Sequence, residues 1–259
     1  CLADNLALTP LVHSGTNPFL VWLDTVMFGF RIYFDFCGYS LMALGVAHCL
    51  GIKLTLNFRS PYCSSNIADF WRRWHVTLST WFRDYVYFPL GGSRVGFWAA
   101  NLLIVFVISG IWHGAGWNFL IWGGLHGLFL LVYRLPVKVS LPRVAAFLLT
   151  HVCVFLAWLC FYETDTGELF RKLGLLLNPA SYDGFALRAF FSACLSPNGL
   201  DIFGILGMIA CVISLEMWSL RKRGEPYRFL RTRGAAVILI FLTVVLSPIS
   251  NNDFIYFAF

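Results

Sequence analysis

Charged residues are scarce in this sequence, and their scarcity indicates its class. Asp, Glu, Lys and Arg make up 12% of the 259 residues, whereas hydrophobic residues make up 59%. Soluble domains average about 25% charged and about 45–50% apolar residues. The apolar excess extends along almost the whole chain, which has a mean hydropathy of +0.72. These proportions exclude an ordinary soluble domain and predict an all-α polytopic membrane protein.

The usual signatures of cofactor and metal sites are missing as well. The eight cysteines show neither CxxC nor another zinc-ligand spacing, and most lie in apolar runs, where a thiol acts as a small hydrophobe. The sequence contains no P-loop, GxGxxG turn, GxSxG elbow or HExxH motif. We therefore predict that the chain holds no metal and no bound cofactor.

A net charge of +6 invites a nucleic-acid interpretation, but the placement of the charges favours another one. Many basic residues lie in short loops between apolar segments, as is typical of cytoplasmic loops. Loops 134–143 and 221–233 are therefore predicted to be cytoplasmic, and the polar region 163–199 external. The predicted partners are membrane lipids and not nucleic acid.

The long apolar stretches predict the membrane-embedded helices. The first, 19–50, exceeds a ~30 Å hydrocarbon core at ~1.5 Å per residue, so it must tilt, break or form two helices, with an irregularity expected at Gly38. Within it, Arg31 and Asp35 have the spacing of a helical ion pair, which either orients helices or lines a functional cavity. The later stretches are 97–112, 117–133, 144–161, 200–220 and 234–246.

Residues 67–88 predict an amphipathic helix at the membrane interface. Apolar and aromatic residues recur at helical spacing on one side, namely Ile67, Phe70, Trp71, Trp74, Leu78, Trp81, Phe82 and Tyr85. Arg72, His75, Ser79 and Arg83 follow the same spacing on another side. Such a helix suits the membrane surface or the wall of a water-filled cavity.

Three histidines in apolar surroundings carry the chemistry that the residues themselves suggest. A neutral imidazole at His113, beside two glycines that leave space, can take a proton from a hydroxyl that attacks an acyl carbonyl. His75 can face the same cavity and orient the substrate or polarise the carbonyl. His126 is interpreted as structural. Buried histidines also serve as hydrogen-bonded links between helices, and periodicity alone leaves that alternative open.

Three sequence runs resemble the membrane-bound O-acyltransferase family. They are YFDFCGYS, SPYCSSNIADFWRRWHVTLSTWFRDYVYFPLGG and SGIWHGAGWNFLIWGGLHG. The resemblance is dense over residues 20–133 and sparse over 134–246, and it is greatest to the branch of bacterial alginate (polysaccharide) O-acetyltransferases. The terminal FIYFAF is similar to the ending of that branch.

The resemblance implies a many-helix core with a central cavity, in a multi-pass protein of the bacterial inner (cytoplasmic) membrane. It places the catalytic histidine at His113 and its assistant at His75. It implies that an acetyl group passes from acetyl-CoA in the cytoplasm toward hydroxyls of an extracytoplasmic polysaccharide such as alginate. The implied partners are an extracytoplasmic acetyltransferase and the polysaccharide-synthesis machinery.

Further site residues follow from this hypothesis. Trp112 and Trp117 are predicted to line the acyl passage, and Asn118 to orient a carbonyl. Arg72 and Arg83 are predicted to dock the anionic nucleotide of acetyl-CoA.

The sequence also departs from the family pattern. Relatives usually have serine and aspartate where this chain has Cys37 and Leu41, and they carry more amino-terminal helices. We therefore expect residues 1–259 to be one membrane-embedded domain, a fragment lacking those helices, with no separate soluble domain.

Two alternatives remain beside this interpretation. On the same scaffold, a relative could transfer D-alanine to teichoic acid, or an acyl chain to lipid. A different class is a proton-coupled transporter, in which the buried histidines and the Arg31 and Asp35 side chains relay protons.

Overall fold

The computed structural model describes residues 16–94, 96–135, 141–196 and 200–245. Within these ranges the chain is helical, without a β-strand. It divides into two compact units, one containing the residues up to Tyr39 and from Phe170 onward, the other containing Ser40–Leu169. The single domain expected over residues 1–259 stays a prediction, and the terminal FIYFAF lies outside the described residues.

The described residues form α-helices whose bounds largely match the apolar stretches. They are α1 (Pro18–Cys49), α2 (Ile67–Arg73), α3 (Val76–Phe82), α4 (Trp98–His113), α5 (Trp117–Arg134), α6 (Arg143–Tyr162), α7 (Thr166–Leu177), α8 (Gly184–Cys194), α9 (Leu200–Arg223) and α10 (Arg233–Val245). In this part of the chain, α6 and residues 202–222 of α9 are long and apolar enough to cross a membrane, by length and composition alone. The apolar helices α4 and α8 are shorter.

Helix α1 differs from the expectation of an irregularity at Gly38. It continues without interruption over 32 residues. A Cβ added at Gly38 would meet no atom within 4 Å, so no close contact requires a glycine there. One interior glycine costs a helix only about 1 kcal/mol relative to alanine, which a helix of this length tolerates. Of the three expectations for this stretch, a break and two helices are therefore wrong, and tilting of a helix of about 48 Å stays a prediction. An ion pair between Arg31 and Asp35 stays a prediction.

The amphipathic helix predicted over 67–88 is wrong as one continuous element. The chain breaks between α2 and α3, where Trp74 is extended and His75 adopts a left-handed conformation with φ 43° and ψ 56°. The break changes the direction of the following side chains, so Trp81 and Tyr85 become exposed although their spacing predicted one shared face with the buried Trp74.

Asn57 provides the physical reason for this break. Its backbone carbonyl accepts a hydrogen bond from the Val76 N–H at 2.9 Å. Its side-chain Oδ1 accepts from the Thr77 N–H at 3.3 Å and from the Thr77 hydroxyl at 3.0 Å. The amide groups that a continuous helix would have paired internally are therefore paired with a residue from the preceding loop.

Helices α4 and α5 form a tightly packed hairpin, and glycines determine its spacing. A Cβ at Gly110 would collide with the backbone carbonyl of Phe119, and a Cβ at Gly123 would collide with that of Phe106. The space beside Gly114 is filled by the Phe119 ring. The expectation that the glycines leave open space beside His113 is therefore wrong, because they admit the side chain of a neighbouring helix instead.

The unit that contains the amino-terminal part of α1 has its own buried polar cluster. Met27 packs there against Ile205 and Ile209 of α9. Glu216, only 3% exposed, accepts a hydrogen bond from the Tyr33 hydroxyl at 2.7 Å. The hydroxyls of Tyr33 and Tyr227 lie 3.0 Å apart. Sequence analysis did not identify this cluster.

The polar region 163–199 also holds more regular structure than the sequence analysis predicted. It contains α7 and α8, each preceded by an aspartate that accepts a hydrogen bond from the first turn. Asp165 accepts from the Glu168 N–H at 2.8 Å, and Asp183 accepts from the Ala186 N–H at 2.7 Å. Such capping stabilises short helices.

Candidate functional site

His75 occupies the break between α2 and α3, and its ring orientation is set by Asn57. The Nδ1 atom lies 3.1 Å from Asn57 Oδ1. This Asn57 atom is the amide oxygen and not the amide nitrogen, because it also accepts a hydrogen bond from the Thr77 N–H. A neutral His75 therefore donates through Nδ1 and keeps its lone pair on Nε2. Burial lowers the pKa of His75 to about 4, so the ring is neutral at pH 7.

His113 ends α4 inside a group of aromatic rings. Its ring centroid lies 4.8 Å from that of Trp112 and 5.1 Å from those of Trp122 and Phe161. Close packing of α4 against α5 places Trp122 in this position. The last turn of α4 therefore presents a half-buried imidazole with its orientation fixed by packed rings.

The structure brings His75 and His113 together, although they are far apart in the sequence. The two imidazoles are close enough to interact electrostatically. Aromatic contacts connect their surroundings, because Trp158 packs 4.9 Å from Trp74 and 6.2 Å from Trp122. The catalytic roles of the two histidines remain predictions, and those roles require both rings to lie in one region, as this interaction indicates.

The other predicted residues near His113 have different positions. Trp112 touches the His113 ring but is largely exposed, as is Trp117 at the start of α5. Asn118 is buried, and its Nδ2 donates to the backbone carbonyl of Cys160 at 3.0 Å, which connects α5 to α6. That contact gives Asn118 a structural use, while the proposed role in orienting a substrate carbonyl stays a prediction.

A cavity of about 400 Å³ lies beside this pair and is lined by three arginines. Arg72 and Arg83 were predicted to bind an anionic donor, and the structure adds Arg134 from the end of α5. The other lining residues are mainly apolar: Ala68, Trp71, Val76, Ser79, Thr80, Phe82, Tyr87, Phe88, Leu102, Val105, Phe106, Ser109 and Leu130. Arg134 was not predicted as a cavity residue, because the sequence pattern places it in a loop.

The electrostatics of the cavity favour an anion. Arg83 donates from Nε and Nη2 to the Asp84 carboxylate at 2.8 and 3.2 Å, and this hydrogen bonding lowers the pKa of Asp84. With three arginines and one neighbouring aspartate, the surroundings of the cavity carry a net positive charge. The lining includes neither histidine, but Val76 directly follows His75 and Ser109 lies one helical turn before His113. The cavity therefore adjoins the histidine pair.

Two residues that matter to this site were not identified as such from the sequence. Asn57 positions His75, and nothing in the loop sequence distinguishes it from other polar loop residues. His126, interpreted as structural, is fully buried and touches Trp122. Among the described residues, no three His, Cys, Asp or Glu side chains converge on a common point where a metal could bind.

The helical fold and the two histidines beside a cationic cavity are features expected of a membrane acyltransferase. Residues 17–161, which include both histidines, match the profile of the membrane-bound O-acyltransferase (MBOAT) family. The chain belongs to this acyltransferase family.

Comparison with curated proteins identifies bacterial relatives. The chain is 47% identical over 160 residues to the peptidoglycan O-acetyltransferase of Helicobacter pylori, covering 59% of this chain and 30% of that protein. It is 31% identical over 261 residues to the probable alginate O-acetylase AlgI of Pseudomonas putida, covering 92% and 53%. It is 38% identical over 124 residues to the teichoic acid D-alanyltransferase of Bacillus subtilis, covering 42% and 30%. The chain thus spans about a third to a half of these relatives.

Proposed function

We propose that the protein is an O-acetyltransferase that transfers acetyl groups from a thioester donor to hydroxyls of a cell-envelope polysaccharide. The observation that carries this proposal is the approach of His75 to His113 beside an arginine-lined cavity. The proposal is also supported by similarity to proteins named as acetylases of alginate and peptidoglycan.

In the proposed reaction His113 is the general base. It takes the proton from the acceptor hydroxyl while that oxygen attacks the thioester carbonyl carbon and forms the new C–O bond. The C–S bond then breaks, and the departing thiolate takes the proton back from the imidazolium. Atoms and charge balance, and the products are an acetyl ester and a free thiol.

The tautomer of His75 favours one of the two roles expected for it. Because Nδ1 donates to Asn57, Nε2 has a lone pair and no hydrogen. It can accept a hydrogen bond from a second hydroxyl of the acceptor sugar, which leaves the hydrogen of the attacking hydroxyl for His113, but it cannot donate one to the thioester carbonyl. His75 therefore orients the acceptor for His113 and does not polarise the carbonyl.

The arginine-lined cavity is the proposed donor site. Acetyl-CoA carries several phosphate charges, and guanidinium groups bind phosphate oxygens through paired hydrogen bonds. Replacing Arg72 or Arg83 by glutamate should raise the KM for acetyl-CoA and leave the KM for polysaccharide nearly unchanged. If both KM values remain at wild-type levels, the arginines do not bind the donor.

The cellular setting follows from the same proposal. We place the protein in the bacterial inner membrane as a multi-pass protein, with loops 134–143 and 221–233 in the cytoplasm. The acetyl group then leaves the cytoplasmic donor and reaches an extracytoplasmic polysaccharide, with an extracytoplasmic acetyltransferase and the polysaccharide-synthesis machinery as partners. Support comes from the charge distribution of the loops.

The test is acetyl transfer by the full-length protein in membrane vesicles. Radiolabelled acetyl-CoA is supplied on the cytoplasmic side, and ester label is measured in alginate or peptidoglycan as material released by mild alkali. Label that depends on the protein supports the proposal. Absence of transfer to either polymer, with correctly inserted protein, contradicts it.

Transfer of D-alanine is the second candidate, favoured by the similarity to the Bacillus subtilis teichoic acid D-alanyltransferase. The same vesicles can be supplied with a D-alanyl thioester on a carrier protein. D-alanyl ester formation without acetyl ester formation would select this alternative. Membership of an acyltransferase family gives no support to the transporter hypothesis.

A further inference from the structure

His126 is buried in a cage of aromatic rings and has no hydrogen-bond partner. It is 0% exposed, and neither Nδ1 nor Nε2 is paired. Its ring centroid lies 4.9 Å from Trp71 and 5.0 Å from Trp122. The cage consists of Phe70, Trp71, Phe106, Trp122 and Phe129. We call these five residues with His126 the His126 cage.

Two indoles of the cage share this lack of partners. The Nε1 atoms of Trp71 and Trp122 are buried and unpaired, and the two ring systems lie 5.9 Å apart. A buried polar atom without a partner costs about 1–3 kcal/mol, and native proteins rarely retain several together. Phenylalanine would fill the place of His126 without that cost. Packing alone therefore does not explain why three adjacent side chains present four unpaired polar atoms.

The cage adjoins both the arginine-lined cavity and His113. Trp71 and Phe106 belong both to the cage and to the cavity lining. Trp122, another member of the cage, touches His113 with ring centroids 5.1 Å apart. A donor molecule that is held by the arginines and has its acyl carbon at His113 would therefore have the middle of its arm near the cage.

We propose that the His126 cage binds a neutral secondary amide in the arm of the thioester donor. This inference rests on the proposed function, because it assigns a further part of the donor to this site. The two indoles only donate hydrogen bonds, whereas a neutral imidazole offers one donor and one acceptor. A secondary amide matches this set, since its carbonyl accepts and its N–H donates.

The absence of a formal charge among the cage residues favours a neutral group over an ion. A charged group would lose its hydration without gaining a counter-charge. Donors built on phosphopantetheine carry phosphate at one end, secondary amides along the arm and the thioester at the other end. The cage adjoins the arginine-lined cavity through Trp71 and His113 through Trp122, which suits a donor of that order. Trp71 is half-buried and belongs to both the cavity lining and the cage, so we expect its ring to move when the amide enters.

A pair of unreactive ligands tests the proposal independently of turnover. S-ethyl-N-acetylcysteamine carries one secondary amide, and ethyl pentyl sulfide has a similar length without the amide. Binding to the purified full-length protein is followed by tryptophan fluorescence. We expect the wild-type protein to bind the amide ligand at least about tenfold more tightly, as one or two buried hydrogen bonds imply. His126→Phe should remove that preference, and His126→Gln should restore part of it.

The controls separate loss of the amide site from general damage. Phe129→Leu alters the packing of the cage without removing a polar atom, so it should change both dissociation constants alike and keep their ratio. If His126→Phe accumulates poorly, Trp122→Phe removes one N–H of the same cage and should also reduce the preference. An equal preference in wild type and His126→Phe, or none in wild type, would mean that the cage holds only water or serves packing, and would overturn the inference.

Turnover then distinguishes this inference from the proposed function. With S-acetyl-N-acetylcysteamine and S-pentyl thioacetate as donors, His126→Phe should raise the KM of the first about tenfold and that of the second less than about twofold. Amide-selective binding without acetyl transfer from any thioester would contradict the proposed function and leave the cage as an amide site. Acetyl transfer with an unchanged ratio of the two KM values would contradict the amide site and leave the proposed function intact.

Discussion

Asn57 is predicted to hold His75 in its catalytic position, and Asn57→Ala tests this directly. Its side chain accepts three contacts, from His75 Nδ1 at 3.1 Å, the Thr77 N–H at 3.3 Å and the Thr77 hydroxyl at 3.0 Å. At about 0.5–1.5 kcal/mol per hydrogen bond, their loss costs about 2–4 kcal/mol. The left-handed conformation of His75 itself costs about 1–2 kcal/mol. The variant should therefore lose the break between α2 and α3.

The expected consequence is a loss of turnover that exceeds the loss of stability. Displacement of His75 by about 1 Å is enough to lower kcat about 10²-fold. Asn66→Ala is the matched control, because Asn66 Oδ1 caps the other end of α2 by accepting from the Asp69 N–H at 2.8 Å. It should cost about 1 kcal/mol with kcat nearly unchanged. Thermal unfolding and initial rates in the same detergent provide both measurements.

Asn57→Asp tests the direction in which residue 57 shifts the pKa of His75. The carboxylate keeps an acceptor for His75 Nδ1, and its charge favours the imidazolium, so the pKa of His75 should rise from about 4. Because burial depresses the folded-state pKa of wild-type His75, its neutral state contributes stability that declines as pH falls below about 6.5 toward 4. In Asn57→Asp that decline should be weaker, whereas the acidic limb of kcat should move to higher pH. Wild-type kcat in Asn57→Ala, or an unmoved pH profile in Asn57→Asp, would refute the reasoning.

Three further predictions concern packing and topology. Gly123→Ala should destabilise the α4–α5 hairpin by about 1–3 kcal/mol, because the added Cβ meets the Phe106 carbonyl. Gly124→Ala has open space around its Cβ and should be neutral or stabilising by up to about 1 kcal/mol. Equal unfolding temperatures of the two variants would contradict this prediction. Tyr33→Phe should cost about 1–3 kcal/mol by depriving buried Glu216 of a hydrogen bond, and the exposed Tyr85→Phe should cost little; an equal effect would refute the role of the cluster. Single cysteines at Gly184 and Arg228 in a cysteine-free protein should be labelled from opposite membrane faces. Arg228 is preferred to Gly224 because the φ of 69° at Gly224 strains any side chain. Labelling of both cysteines from one face would contradict the predicted orientation.

The apolar helices were predictable because their signal is local. Runs such as 117–133 and 144–161 have the length and composition of embedded helices, and α5 and α6 match them within one residue at each end. Helices α7 and α8 were missed because they are too short to span a membrane and lie in a region that contains many charged residues, although Asp165 and Asp183 were unused capping signals.

The break at His75 was not predictable from local sequence. Its spacing is helical, the residue is not glycine, and the groups that stabilise the break belong to Asn57 in a separate loop. Likewise the joining of Arg134 with Arg72 and Arg83 depends on the packing of α5 against α2 and α4, which no pattern within one helix specifies. A shared cavity for His75 and His113 was predicted from their apolar surroundings and helical spacing, and the catalytic assignment from resemblance, whereas the glycine-dependent hairpin of α4 and α5 required the structure.

The central claim is that His113 moves the proton during acyl transfer, and His113→Ala measures it most directly. Removing a general base lowers turnover about 10²–10⁴-fold. The measurement is acetyl transfer per folded full-length protein in membranes, with His75→Asn and His126→Ala alongside. We expect near-complete loss in His113→Ala, partial loss in His75→Asn and retained kcat at saturating donor in His126→Ala. Wild-type turnover by correctly inserted His113→Ala would contradict the account.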